Sequence, residues 1–443
     1  MYELKLGTDS DQIILLGETI TAPWKGGVLK KSTAGSQTAF DIGLVMDVYH
    51  IVLEDTPANI STALTHLQAL LNQAANYNRH HTGKPVNLYA TQVQGDTQYT
   101  TILRNGFYDP ITGSTARDQG SVGISLSLDR FDFWEGPSTI VPLSNRSANR
   151  ATSGVAVVNH LDSGAYHDNF VDILGSDIRG DLPAAANMDY SNASAVAYSL
   201  DSLIMHLNAY SAPTTFTPVY EGTGTADASC SGGSKASAFV NTSDISIFSF
   251  NILPAQALAA GGNDFMVLLR LAAPIPSADV IMHVYLANIG WMIFDLPPVL
   301  VPAGQGIIEL GVLTLPPGIN PLLEAGPATI GLTLSAKTTT GSRTIYIDYV
   351  YLAAMDGYRR FNRIGRTLYQ DECIVDDGYG ATCYLETNAT ALIAPNYNTF
   401  GAQFKLIPGI AQRIGFFQVG AHAGEIDRPG WVHIHYKPRK RYL

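Results

Sequence analysis

Charge is scarce in this sequence: Asp, Glu, Lys and Arg make up 15% of its 443 residues, against about 25% in an ordinary globular domain. Much of the surface is therefore neutral and rich in Gly, Ser, Thr and Asn. Such surfaces belong either to chains covered by neighbours in an assembly, where charge at the centre of an interface is disfavoured, or to secreted β proteins. An excess of positive charge is also missing. The formal net charge of −11 argues against general binding of nucleic acid, which needs a basic stripe to neutralise phosphates. The imbalance has a direction: residues 356 to 443 hold 11 Lys or Arg and 8 acidic residues, a net of +3, while the preceding residues carry −14. A basic end and an acidic body can attract each other between subunits.

Cysteine is almost absent. Cys230, Cys373 and Cys383 are too few for a disulfide framework or a four-ligand zinc site, which points to synthesis in a reducing compartment. Cys373 and Cys383 stand symmetrically about Gly378 in DECIVDDGYGATCYLE, so a hairpin turning there would set them opposite each other, either bonded or, the reading we favour, as two buried thiols. Long apolar runs are missing too. No stretch approaches the 18 uninterrupted apolar residues of a spanning helix, and MYELKLGTDSDQIILLG lacks the basic flank and apolar run of a secretory signal. No membrane insertion and no export signal are expected.

What is present is β pattern. Short alternating runs such as Tyr2, Leu4 and Leu6, or Val122, Ile124, Leu126 and Leu128, recur along the chain with Gly, Pro, Ser and Thr between them. One segment breaks the pattern: after Asp55-Thr56-Pro57, residues Ile60, Leu64, Leu67, Leu71, Ala74 and Ala75 recur at helical spacing to about Arg79. The fold expected is all-β with this one notable helix at 57–79. Three parts are read: an N-terminal β domain over 1–137, a β-sandwich or jelly-roll over 140–355, and a C-terminal β segment over 356–443 that packs on the first domain. KPRKRYL, at the end, reads as an exposed basic tail.

Motifs of catalysis are not found. There is no G-x-S-x-G elbow, no phosphate loop and no H-E-x-x-H helix, so the expectation is a protein that is not an enzyme, with no catalytic residue, cofactor or metal. His433 and His435 form an H-x-H on a strand and would share one face, as metal sites can use, although paired surface or interface histidines are commoner. Arg179-Gly180-Asp181 spells an adhesion tripeptide that arises easily by chance, and Asp376-Asp377-Gly378 lacks the ligand spacing of a calcium loop and reads as a turn. Of the four tryptophans, Trp134 and Trp431 read as packing residues, while Trp291, after Asn288-Ile289-Gly290, is the candidate for stacking on a sugar ring.

The helix from Pro57 to Arg79, the Pro85-Val86-Asn87-Leu88 strand, the QYTTILRNG strand and the closing FDFWEGP together resemble the N-terminal domain of bacteriophage distal tail proteins. SDIRGDLPAAANMDY (176–190) and IYIDYVYLAAMDGYRRF (345–361) resemble the jelly-roll modules of viral tail proteins and carbohydrate-binding modules, and WVHIHYKPRKRYL resembles the ends of virion structural proteins. The resemblance implies a tail-tip or baseplate subunit that forms a ring, commonly a hexamer, between tail tube and tip or fibre proteins. It further implies assembly in the host bacterial cytoplasm and residence in the virion tail. In that family a single sandwich commonly follows the hub domain, whereas some 88 further residues follow here. The alternative is a carbohydrate-binding protein recognising a host surface glycan, and after it a carbohydrate-active enzyme.

Overall fold

The computed structural model describes residues 3–441 apart from 35–42, 112–119, 146–149, 159–168, 210–218, 253–261, 316–329, 363–366, 388–397, 421–428 and several gaps of one to three residues. The protein is all-β with one long helix, as its alternation predicts. It divides into two compact units: Met1–Thr139 with Arg179–Ala184 and Lys437–Leu443, and Ile140–Ile178 with Ala185–Tyr436.

In the first unit, β1 (Glu3–Thr8), β2 (Asp11–Leu16), β3 (Trp24–Ala34) and β4 (Leu44–Glu54) precede helix α1 (Pro57–His80). After it come β5 (Asn87–Thr91), β6 (Tyr99–Pro110), β7 (Ser121–Phe131) and the short β8 (Trp134–Glu135). The sheet runs β2-β1-β5-β6-β7-β4-β3. The helix opens where the Thr56 hydroxyl accepts from the Asn59 N–H at 3.3 Å, and Pro57 takes the first turn, where its missing N–H costs nothing. Its buried stripe of Ile60, Ala63, Leu67, Leu70, Leu71 and Ala74 packs on Leu103, Ile124, Leu126 and Leu128 of the sheet. Two features of β6 admit the helix so closely. A side chain at Gly106 would meet Leu71 at 2.7 Å, and the carbonyls that a bulge near Arg104 takes out of the ladder are bound by Asn78 of α1, at 2.9 Å to Leu103 and 3.0 Å to Arg104.

The second unit is two sandwiches stacked face to face. In one, the strands Val155–Val157, Gly430–Tyr436, Ala184–Asn192, Glu372–Asp377 and Thr382–Thr387 lie side by side in that order. The facing sheet contains Phe170–Ile173, Gln412–Val419, Ser202–Ala209, Tyr358–Asn362 and Asn398–Phe400. The other sandwich pairs Ser234–Val240, Arg343–Ala354, Asp264–Leu271 and Ile307–Thr314 in one sheet and Ile245–Ile252, Ile330–Thr338, Val280–Asn288 and Trp291–Asp295 in the next. Between the sheets of this sandwich lies an aliphatic core including Val267, Leu269, Val284 and Leu334. A third cluster, with Phe170, Ile204, Tyr358 and Phe417 from the first sandwich and Leu268, Tyr349 and Tyr351 from the second, joins the two.

The chain is more interleaved than a reading in sequence order suggests. The segment 345–361, read as one closing strand, is two: Arg343–Ala354 belongs to the second sandwich and Tyr358–Asn362 to the first. From there to Tyr436 the chain completes the first sandwich, and only Lys437–Leu443 lies in the first unit. There Arg439–Lys440 pairs with β8, Arg439 reaches Glu135 at 2.7 Å and its guanidinium stacks over Phe133 at 4.1 Å. The basic end is thus part of a sheet, not an exposed tail.

Several of the few charges are spent inside. Arg359 makes two 2.7 Å bonds to Asp376 and ties the two sheets of the first sandwich together across its core. Arg270 pairs with Asp348, both fully buried, and Arg130 meets Asp47 at 2.7 Å behind the first unit's sheet. Removing one member of such a pair strands a buried charge and costs about 3–5 kcal/mol. A buried histidine sits in the joint between the sandwiches: His206 Nδ1 lies 2.7 Å from the Tyr351 hydroxyl, and burial pushes its pKa down to about 4. An imidazole so depressed stabilises the fold in its neutral form. That stability is complete above about pH 6.5 and is lost as pH falls toward about 4, by at most about 3 kcal/mol. His206→Gln keeps a hydrogen-bonding group beside Tyr351 and has no proton to gain. Urea unfolding between about pH 7 and about pH 4.5 should show a shallower loss of stability in this variant than in the wild type; equal slopes would contradict the assignment.

Candidate functional site

Two surfaces of the first unit and one of the second stand out. The β3-β4-β7-β6 sheet has α1 on one face. On the other, the register sets Val52 beside Gly123 and Val48 beside Ser127, with Phe107 next in line. Alternation sends Tyr49, Ile51 and Leu53 to the core and their neighbours outward. Val28 is 58% exposed, Phe107 51%, Leu44 40% and Val52 39%. Between them lie Gly123, Ser125 and Ser127, and the register sets Lys31, His50, Asp109 and Asp129 on the same side, so the face is mixed, with exposed apolar side chains among polar ones; burial raises the Asp129 carboxyl in pKa. On the helix side of the same sheet, a groove of about 550 Å³ runs between α1 and the ends of β6 and β7, lined by Leu64, Thr65, Gln68, Tyr108, Pro110 and Val122.

The third surface is the outer face of the second unit's seven-stranded sheet. Here the H-x-H pair does share a face: His433 stands opposite Asp189 and His435 opposite Asn187. Asn187 Nδ2 lies 2.8 Å from His435 Nε2, so that nitrogen accepts and the ring proton sits on Nδ1, 3.9 Å from Asp189. Burial raises the Asp189 carboxyl even with both histidines opposing it. Among the described residues, no three His, Cys, Asp or Glu side chains are grouped so as to hold a metal ion. Trp431 lies on the same face, half-buried, its indole N–H donating to the Ser153 carbonyl at 2.9 Å.

The remaining sequence candidates separate. Trp291 pairs with Asn288 at the start of its strand, and its side chain lies outside the described residues. Trp134 is buried in the first unit's core. Of Arg179-Gly180-Asp181, Asp181 is engaged by the C-terminal strand: its N–H donates to the Arg439 carbonyl at 2.8 Å and its carboxylate accepts from the Arg441 N–H at 3.2 Å. Cys373 and Cys383 lie in the expected hairpin but out of step: Cys373 faces Glu386 and Cys383 faces Asp376. Three residues of offset place the two sulfurs on opposite faces, and neither is in a disulfide.

No protein-family model and no curated protein matches the chain. Among solved structures, it is similar to a chain from the phage P2 baseplate in its activated conformation with Ca, at 8% identity over 100% of this chain and 99% of that one, with a TM-score of 0.26. A chain from the structure of infectious bursal disease virus Gx strain is similar at 10% identity, over 68% of this chain and 80% of that one, with a TM-score of 0.18. Both correspondences are too loose to define a shared fold.

The thiols give a direct check on this face. Burial, with Asp189 and Glu386 nearby, pushes the Cys373 thiol up to about 12, which lowers its thiolate fraction near neutral pH roughly a thousand-fold. Iodoacetamide should leave Cys373 of the native protein largely unmodified while labelling it fully after denaturation. Equal rates in the two states would overturn this placement.

Proposed function

We propose that the protein is a non-enzymatic structural component of a bacteriophage tail tip, a hub that assembles into a closed ring and connects the tail tube to tip or fibre proteins. The observation that carries the reading is the outward face of the first unit's sheet, on which Val28, Leu44, Val52 and Phe107 are all exposed. Exposed apolar patches of this kind mark protein–protein surfaces. The kind of assembly is taken from the resemblance of residues 1–137 to distal tail proteins.

A ring needs two different surfaces on each subunit, because a head-to-tail contact joins unlike patches and closes when the rotation allows. The first unit has two: the outward sheet face, and the groove between α1 and β6–β7 on the opposite side of the same sheet. In the proposed ring the outward sheet face of one copy, with Phe107 and Val52 on it, covers the α1 side of the next. The scarcity of charge on the chain suits surfaces that end buried against neighbours.

Val52→Glu combined with Phe107→Glu would place two carboxylates in that contact at a cost of several kcal/mol while leaving the core of the first unit intact. Light scattering behind a sizing column should give a multimer for the wild type and a single 47.6 kDa chain for the double variant. A wild-type monomer at all concentrations, or a double variant of unchanged multimeric mass, would overturn the reading.

A further inference from the structure

Helix α1 carries almost no charge. From Pro57 to Asn78 it contains no Asp, Glu, Lys or Arg, and the first such residue is Arg79, in the last turn. The side chains it leaves exposed, among them Thr65, Gln68 and Asn72, are neutral, whereas the solvent side of a helix normally carries charges. The same residues form one wall of the groove beside β6 and β7, and Tyr108, Pro110 and Val122 form the other. Among the described residues, none that lines this groove is charged. A groove of about 550 Å³ with neutral walls favours an uncharged, apolar occupant, because a charge entering it would lose water and meet no countercharge.

The chain itself carries such a group. Phe107 is 51% exposed and has a larger side chain than Val28, Leu44 or Val52 on the same face. Successive side chains of a strand point to opposite faces, so Phe107 faces outward while Tyr108 faces the groove. Each copy therefore holds the aromatic ring and the groove back to back on one strand, fixed relative to each other by the β6–β7 ladder. Unlike patches held rigidly by one element are what a repeating head-to-tail contact needs.

The flanks of Phe107 suit the rim of the groove. Asn105 and Asp109 are exposed on either side of it along β6. At the exposed rim, Gln68 spends one amide N–H on Asn72 Oδ1 at 3.0 Å, which leaves its second N–H and the Asn72 amide as donors for an incoming carboxylate. We propose that Phe107 of one copy inserts into the α1 groove of the next. This contact deepens the ring reading above and depends on it.

Disulfide trapping on the full chain tests the contact. Residues 109 and 68 lie on opposite sides of the sheet within one copy, so only neighbouring copies can join them. Asp109→Cys with Gln68→Cys, and independently Asn105→Cys with Asn72→Cys, leave Phe107 in place. Mild oxidation of the assembled protein should give a ladder of covalent multimers on a denaturing gel for at least one pair, and nothing beyond a dimer for each single variant. Phe107→Ala should raise the concentration at which the multimer dissociates about ten-fold or more, against less than about three-fold for Leu44→Ala; this comparison decides the matter if the cysteines themselves block assembly. A multimer of wild-type mass that gives no ladder with either pair, or a Phe107→Ala multimer as stable as the wild type, would overturn the contact while the ring stands, and would leave the groove to a different protein. A wild-type monomer would overturn both.

Discussion

The strand Gly430–Tyr436, lying between Val155–Val157 and Ala184–Asn192, is the pairing on which the second unit depends. Its register sets Tyr436 against Ala186 and Gly430 against Asn192, so residues about 250 positions apart become neighbours. Without it the sheet has no centre: Val155–Val157 loses its partner and Ala184–Asn192 loses its long pairing on that side. The sandwich core follows from the same placement. Tyr190, next to that strand, stacks on Phe416 at 6.3 Å and accepts from Gln418 at 2.5 Å. Immediately beyond Tyr436 the chain passes to the first unit, where Arg439–Lys440 completes the edge at β8. The last fourteen or so residues thus contribute to both units, a heavy reliance on distant pairing that makes the fold one of high contact order.

Local pattern was enough to find what is local. The helix at Pro57–His80 follows from its apolar spacing, and strands such as Ser121–Phe131 follow from alternation, because both periods are written in adjacent residues. Distant pairing is written nowhere in particular. Tyr358–Asn362 looks like the continuation of Arg343–Ala354, and only the partners of each, Ser202–Ala209 for one and Asp264–Leu271 for the other, assign them to different sandwiches. The same limit applied to the cysteines. Symmetry about Gly378 suggested that Cys373 and Cys383 would meet, but the hairpin pairs Cys373 with Glu386, and a shift of register moves a side chain to the other face.

Charges were misleading in a physically instructive way. Arg130, Arg270 and Arg359 would each be taken for surface residues, yet all three are buried against aspartates. In a chain with so few charges, using some of them inside leaves still fewer for the outside. The sparsely charged exterior and the ion-paired interior are two sides of one allocation of polarity.

Electron microscopy of the purified, negatively stained protein tests the hub reading most directly. Closed rings of uniform size are what the account predicts. Dispersed single particles of one chain, at concentrations where rings should persist, would contradict it.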